Sequence, residues 1–505
     1  MRKEILINSS PREVRVALLE GGELVQLFLE RQSQRSIVGN VYLAQVTKVL
    51  PGMQSAFVDI GLARDAFLYV TDIAGSPEEI DKIARIDDQE EDSESADNGD
   101  SRKGTSRIED LLREGQDILV QVVKDPLANK GARITSYVSL PGRYLVLMPS
   151  VDHIGVSRKI ARSSDRDRLR KIVSHLRRPG EGIIVRTAGA EKRQEELERD
   201  VAYLQGIWDT IRRTMETARA PSLLHSELDV SLRILRDLFG PEFQRVLVDR
   251  EDAFRRCRDF VAQFQPQMAR RVRFYDEEVP LFEEFSIESE LQKALRNRVW
   301  LRSGGSIVIH QTEALVAIDV NTGKFVGKRR LEETVLKTNL EAAREIVRQL
   351  RLRDLGGIIV VDFIDMEEES SKRELIRTLE KELQRDRSKT RLLQISDFGL
   401  VEITRQRTKR SLERTLCQTC PYCSGTGRVR SALTVGLEVE REIQKRAPAG
   451  SDRSLVVRVH PEVAAVLEAE GEEMVSGTSR LDGISFRIDA DASLHREQFD
   501  IKQKR

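Results

Sequence analysis

The sequence predicts a multidomain protein mixing α/β and α+β architecture, and three patterns predict it. Residues 39–140 hold a dense run of short strand signals with one long interruption, the pattern of a small barrel of OB type. Residues 304–366 hold an apolar strand, a long amphipathic helix and a second apolar strand, which together read as a parallel βαβ unit. A tight cysteine cluster precedes a tail, 430–505, that reads α-β-α-β. At 505 residues the chain is too long for one hydrophobic core.

The elements follow in chain order. Residues 1–38 carry the strand signals EILINSS, VRVALLEGG and LVQLFLER, the last alternating like a half-buried strand. NVYLAQVTKVL, SAFVDIG and DAFLYVTD come next, separated by turns at Pro51-Gly52 and Leu62-Ala63-Arg64. Residues 75–110 are acidic, Ser-rich and nearly free of apolar side chains, so they are expected to be a disordered insertion. DILVQVVKD and ARITSYVSL complete five barrel strands, and RYLVLMP follows. Residues 159–220 alternate basic helical stretches with the strand GIIVRTAG. Residues 222–300 mix strands such as RVLVD with amphipathic helices such as 252–265. The tail strands are SLVVRVH and ISFRIDAD around the helix EVAAVLEAEG, and no internal repeat is present.

Composition narrows the function classes. Apolar residues are 39% and charged residues 33%, with a formal net charge of zero, so a nucleic-acid partner must be met by local basic patches. The N-terminus lacks an apolar core of signal-peptide length, and no segment offers the roughly 20 apolar residues of a membrane span. With four cysteines, three of them clustered, a secreted disulfide scaffold is excluded and a cytoplasmic protein is expected.

Within the βαβ unit, EALVAIDVNTG is a strand stopping at Asp319 and LGGIIVVDFIDM a strand stopping at Asp362, with Asp365 just beyond. The helix between them has one apolar stripe and a stop at Gly356-Gly357. Near-continuous apolar strands predict a parallel pair buried on both faces. Neighbouring strands lie about 5 Å apart, so both carboxylates would emerge at one sheet end and share an ion. Magnesium takes such hard oxygen ligands and supplies chemistry suited to phosphodiesters. Lys324, Lys328, Arg329 and Arg330 in the intervening loop suit a polyanionic substrate. The plainer alternative is that each Asp is a turn or cap residue, and Asp365 is the weaker candidate.

Phe57, Phe67 and Tyr69 fall in the second and third barrel strands, where OB barrels stack bases above a basic groove. Alternation puts Phe67 and Tyr69 on one face and Leu68 on the other. Lys124 and Lys130 are placed to meet phosphates, although strand aromatics also serve as core. Cys417-x-x-Cys420-Pro-Tyr-Cys423 before Ser-Gly-Thr-Gly has zinc-knuckle spacing. No histidine is near in sequence, so local ligands number three at most and a structural zinc is best completed by two chains sharing one ion. Cys420 and Cys423 are the better ligands, Cys417 is left open, and reduced uncommitted thiols are the alternative.

Taken together, GNVYLAQVTKVLPGMQSAFVDIG, the NKGAR-to-GRYLVLMP stretch, IVRTAG, AIDVNTG, GGIIVVDFIDM, EITRQR and CPYCSGTG resemble the bacterial ribonuclease E/G family over the whole chain. The resemblance implies an endoribonuclease of single-stranded, AU-rich RNA, active in rRNA maturation and mRNA turnover. It implies catalytic residues at Asp319, Asn321 and Asp362, with Asp319 and Asp362 holding magnesium. It implies RNA contacts at Phe57, Phe67, Lys124 and Lys130, and a 5′-monophosphate pocket at Gly142, Val146, Arg186 and Thr187. It implies zinc shared between chains through Cys420 and Cys423, and a homodimer that can pair into a homotetramer.

The implied domains are an RNase H-like subdomain in two parts (1–38 and 221–280), the OB-fold domain (39–140, with its acidic insertion) and a 5′-phosphate sensor (141–220). A DNase I-like catalytic domain (281–415), a zinc link (416–427) and a small oligomerisation domain (428–505) complete the chain. The acidic insertion is longer than this barrel normally carries. No long C-terminal extension follows, which points to the ribonuclease G side of the family rather than the side with a scaffold and membrane anchor. The competing reading is a non-catalytic RNA-binding or assembly protein using the same barrel.

Overall fold

The computed structural model describes residues 2–73, 107–126, 130–323, 331–393, 396, 399–407, 410–446, 453–469 and 484–503. They form two compact units, Met1–Glu413 and Arg414–Arg505. The expected acidic insertion lies outside the described residues except at 107–110, and there the expectation fails. Ile108–Leu111 is a helical turn, and Ile108 is fully buried in the barrel core with its N–H donated to Gln54 Oε1 at 3.1 Å. One apolar side chain at the edge of a polar run is enough to dock that edge.

The barrel closes as expected. Val41–Leu50, Ser55–Asp59, Ala66–Tyr69, Arg133–Thr135 and Asp117–Lys124 are neighbours in that order, and the last pairs back onto the first. Its interior is aliphatic, built on Val46, Val58, Leu68, Val120 and Ile134. Ser222–His225 adds to the Val41–Leu50 strand, so residues 222–225 belong with the barrel rather than with the subdomain that follows.

The two chain segments 1–38 and 221–280 do meet in one sheet. Lys3–Ser9 pairs antiparallel with Glu13–Glu20 and parallel with Phe243–Val248, and Glu23–Arg31 and Val272–Phe274 form the edges. Val230–Leu238 and Glu251–Phe264 contribute to the same apolar core. A smaller sheet of Ile154–Val156, Gly182–Val185, Leu145–Met148 and Leu140–Pro141 packs with the helices Ser163–Leu176 and Gln194–Thr217.

The third large sheet runs Arg298–Trp300, Ser306–Gln311, Leu315–Asn321, Gly357–Asp362, Leu400–Arg405, Thr390–Leu392. Leu315–Asn321 and Gly357–Asp362 are its parallel pair, linked through the helix Leu331–Arg353. That helix and Glu369–Leu383 share one core with a single sheet face. Burial alternates accordingly: Val316, Ile318 and Val320 are buried, whereas Ala317, Asp319 and Asn321 are exposed. The expectation of burial on both faces is therefore wrong. Ile358 and Val360, apolar residues on the uncovered face, made the second strand read as continuous, yet Ile358 is 53% exposed. Among the described residues only one face is covered.

Arg405 sets the entry to the second of these strands. Helix Leu331–Arg353 ends with Asp354 in the left-handed region (φ 49°) and Leu355 N–H bonded to Leu350 O at 3.0 Å. Arg405 Nη1 donates to Asp354 Oδ1 at 2.9 Å and to Leu355 O at 2.8 Å, while its Nε reaches Asp386 Oδ2 at 2.7 Å. The chain then leaves through Gly357, whose φ of 95° and close approach to Arg407 suit glycine alone.

In the second unit, Ala432–Arg446 and Pro461–Ala469 pack on a sheet in which Arg453–Val459 is central. It pairs parallel with Ile484–Ala490 and antiparallel with Phe499–Gln503. The last strand was not expected, because FDIKQ has little apolar content to mark it.

Candidate active site and nucleic-acid interface

Register decides whether the two carboxylates meet. Asp319 and Asp362 are Cα partners across the parallel pair, flanked in the same row by Val308 and Leu400. Adjacent strands lie about 4.8 Å apart, and in-register residues point to the same face. Both carboxylates are exposed on the uncovered face. Like charges directly opposite each other on a sheet are destabilising. Among the described residues neither is paired with a cation, so the pair lacks compensation from within this part of the chain. Two solvent-facing carboxylates with room for waters fit magnesium's preferred donor set.

Asn321 lies two positions beyond Asp319 on the same face, and its Nδ2 donates to Asp319 Oδ2 at 2.7 Å. That bond engages one oxygen of the Asp319 carboxylate. Asp365 is exposed in the loop after Asp362, beside Gly399. Among the described residues no group of three or more His, Cys, Asp or Glu is placed to hold an ion, so Asp365 does not join the pair into a larger set. The basic loop with Lys324, Lys328, Arg329 and Arg330 lies outside the described residues.

The barrel carries a continuous row on its outer surface. Lys48 pairs with Phe57, Phe57 with Phe67, Phe67 with Arg133, and Arg133 with Lys124. Phe57 and Phe67 meet edge to face at 5.5 Å, and Phe67 meets Tyr69 at 4.6 Å. Tyr69 is 42% exposed and lies under the Arg133 guanidinium at 5.0 Å, whereas Leu68 points into the core. An aromatic strip edged by exposed lysines matches the way OB barrels hold single strands. Lys130 is exposed near the start of Arg133–Thr135. Sequence reading missed Lys48 and Arg133, because only the closed barrel brings them into the row.

The four residues expected to bind a 5′-monophosphate are near one another but unequally accessible. Arg186 and Thr187 follow the strand Gly182–Val185, Val146 pairs with Ile184 inside the sheet, and Gly142 precedes Leu145–Met148. Thr187 is exposed, with Oγ1 2.9 Å from Ser157 Oγ, whereas Val146 and Gly142 are buried. The Arg186 side chain, 10% exposed, bonds to Gly142 O and to Asp237 Oδ1 at 2.9 Å. Asp200 underlies the turn: its carboxylate accepts the N–H groups of Arg143, Tyr144 and Leu145 at 3.1, 2.7 and 2.9 Å. A Cβ at Gly142 would come within 2.7 Å of that carboxylate, so glycine is required there. Burial pushes the Asp200 pKa up, opposed by those three N–H bonds and by the Arg186 charge. Asp200 and Asp237 carry no sequence signal, Asp200 being one of several acids on the helix Gln194–Thr217 and Asp237 a lone acid near the end of the short helix Val230–Leu238.

The cysteine turn favours thiolate at Cys420. Gly427 N–H donates to Cys423 Sγ at 3.3 Å. The N–H groups of Cys423 and Tyr422, together with the Cys423 side chain, hold the Cys420 thiol below its ordinary pKa. Cys417 is exposed and does not complete a three-ligand group with them. One histidine distant in sequence comes near in space: His495 stacks on Tyr422 at 4.2 Å, with Nε2 2.6 Å from Tyr422 O. Two cysteines per chain suit a shared ion.

Comparison with known proteins adds two family matches. Residues 139–408 match the model for the Ribonuclease E/G family, and residues 419–504 match that for the RNase E/G thioredoxin-like domain. The chain is 40% identical over 503 residues to Ribonuclease G of Salmonella typhimurium (strain SL1344), covering 99% of each chain. Identity to Ribonuclease G of Escherichia coli (strain K12) is 40% over 502 residues, again 99% of each. Identity to Ribonuclease E of Escherichia coli (strain K12) is 37% over 487 residues, which is 95% of this chain and 44% of that protein.

Proposed function

The chain belongs to the ribonuclease E/G family, and from that premise we infer a magnesium-dependent endoribonuclease that hydrolyses single-stranded, AU-rich RNA. The observation carrying this reading is the in-register, solvent-facing pair Asp319 and Asp362 with Asn321 bonded to the first. The carboxylates would hold the ion, and Asn321 steadies Asp319 while its amide oxygen accepts from the attacking water or its second Nδ2 hydrogen is donated to the scissile phosphate. When bound, magnesium supplies Lewis-acid stabilisation of the phosphoryl oxygens and lowers the pKa of water. Water adds to phosphorus and the 3′ oxygen leaves, which gives 5′-phosphate and 3′-hydroxyl ends.

Substrate choice belongs to other surfaces in this reading. Phe57 and Phe67 stack bases, and Lys124 and Lys130 meet phosphates. Gly142, Val146, Arg186 and Thr187 favour a 5′-monophosphate, with Arg186 shared between that group and Asp237. Cys420 and Cys423 share zinc with a partner chain in a homodimer, which residues 428–505 help to pair into a tetramer. The mixed sheet uniting 1–38 with 221–280 supports the RNase H-like assignment, and the sheet carrying the acid pair supports the DNase I-like one. The protein works in the cytoplasm on rRNA precursors and mRNA; no helix among the described residues is long and apolar enough to cross a membrane.

The test is cleavage of a short AU-rich RNA with magnesium, then with chelator. Asp319→Asn combined with Asp362→Asn should cut the rate by about 10²–10³-fold, the value of several kcal/mol of charge stabilisation. Unchanged cleavage in that variant would show that Asp319 and Asp362 hold no catalytic ion, whereas wild-type protein that binds the RNA with magnesium but leaves it uncut would support the non-catalytic reading.

A further inference from the structure

The uncovered face of the acid-bearing sheet carries a large aromatic side chain with no assigned role. Arg298–Trp300 is an edge strand, antiparallel to Ser306–Gln311, which is antiparallel to Leu315–Asn321. Register places Trp300 in line with Ser306 and Asn321, and Arg298 in line with Val308, Asp319 and Asp362. Val299, between them, packs against the helix-covered core, so Arg298 and Trp300 share the face of the carboxylates. Two strand spacings, about 10 Å, separate Trp300 from Asn321.

Trp300 is 69% exposed, and the Arg298 guanidinium lies 5.6 Å from its ring centroid. Leaving an indole this open discards the burial that normally stabilises tryptophan. We propose that Trp300 is a base-stacking platform for a nucleotide flanking the scissile phosphate, with Arg298 meeting that nucleotide's phosphate. Single-stranded RNA is the occupant because the platform continues the catalytic face itself. Charge agrees: the acids Asp319 and Asp362 lie mid-sheet, where an ion screens them, while exposed Arg298 and Arg391 occupy the two edge strands. An indole beside a guanidinium is also the pairing that sequence-tolerant single-strand sites use. The proposal rests on the catalytic reading above and adds a positioning residue to it.

The chain has only two tryptophans, Trp208 and Trp300, so Trp208→Phe leaves Trp300 as sole reporter. In that full-length background, a short AU-rich oligoribonucleotide added without magnesium should quench the Trp300 emission. In the wild-type background, Trp300→Ala should raise KM about tenfold with little change in kcat, and Trp300→Phe should restore most of the loss. Unquenched emission at saturating RNA, or an unchanged KM, overturns the proposal. So does a Trp300→Ala protein that shifts towards monomer while keeping its RNA affinity, which would assign this face to a second copy of the chain. The quench is read without catalysis, so it stands or fails separately from the roles of Asp319 and Asp362.

Discussion

Asn321 is bonded to the one carboxylate oxygen it can reach, and that contact makes a prediction for a single side chain. Asn321→Ala frees Asp319 to rotate, and rates should fall about 10–100-fold, as loss of a ligand-orienting partner typically does. Asn321→Asp should be no better, since it adds a third negative charge to the same sheet face. Arg186→Ala should shrink the advantage of 5′-monophosphate over 5′-hydroxyl RNA; equal loss on both substrates would make Arg186 a structural partner of Asp237. Legibility at this scale was uneven. Asp319 and Asp362 stand out because each ends an apolar run. The Arg186–Asp237 contact joins distant segments, and the exposure of Trp300 depends on which sheet face the helices leave open.

Arg405 shows how an element positions the site. Its side chain is 1% exposed and pairs with two buried carboxylates. Burial works against its charge, yet bonding to Asp386 and then Asp354 holds its pKa above the ordinary value. Arg405→Ala strands both acids and should cost about 3–5 kcal/mol in chemical unfolding. Asp237 supplies a pH prediction. Burial, its largest influence, would raise its pKa, but the charges of Arg236 and Arg186 hold it lowered. A lowered folded value stabilises above the unfolded one, about 3.9, and that contribution disappears as pH falls through the folded value. Melting temperature should therefore drop below about pH 4, and less steeply in Asp237→Asn. The βαβ unit was readable from its helix stripe and strand ends. Its open face was not, because Ile358 and Val360 imitate burial.

At the scale of the whole molecule, one sheet is built from two chain segments far apart in sequence, 1–38 and 221–280, and its recovery required the family resemblance rather than periodicity. The barrel was legible because alternation and turn residues agree across its strands. Two clustered cysteines in each chain, Cys420 and Cys423, predict about one zinc per two chains. Cys420→Ser with Cys423→Ser should shift the protein towards monomer in sedimentation, and a metal-free native dimer would exclude the shared ion. The carboxylate pair itself is tested most directly by titrating magnesium against cleavage of one short RNA, in wild type and in Asp362→Asn. Halving the ligand set should raise the magnesium concentration for half-maximal cleavage by about tenfold or more, the equivalent of at least ~1.4 kcal/mol of lost binding. Coincident titration curves at equal maximal rate would show that Asp362 holds no catalytic ion.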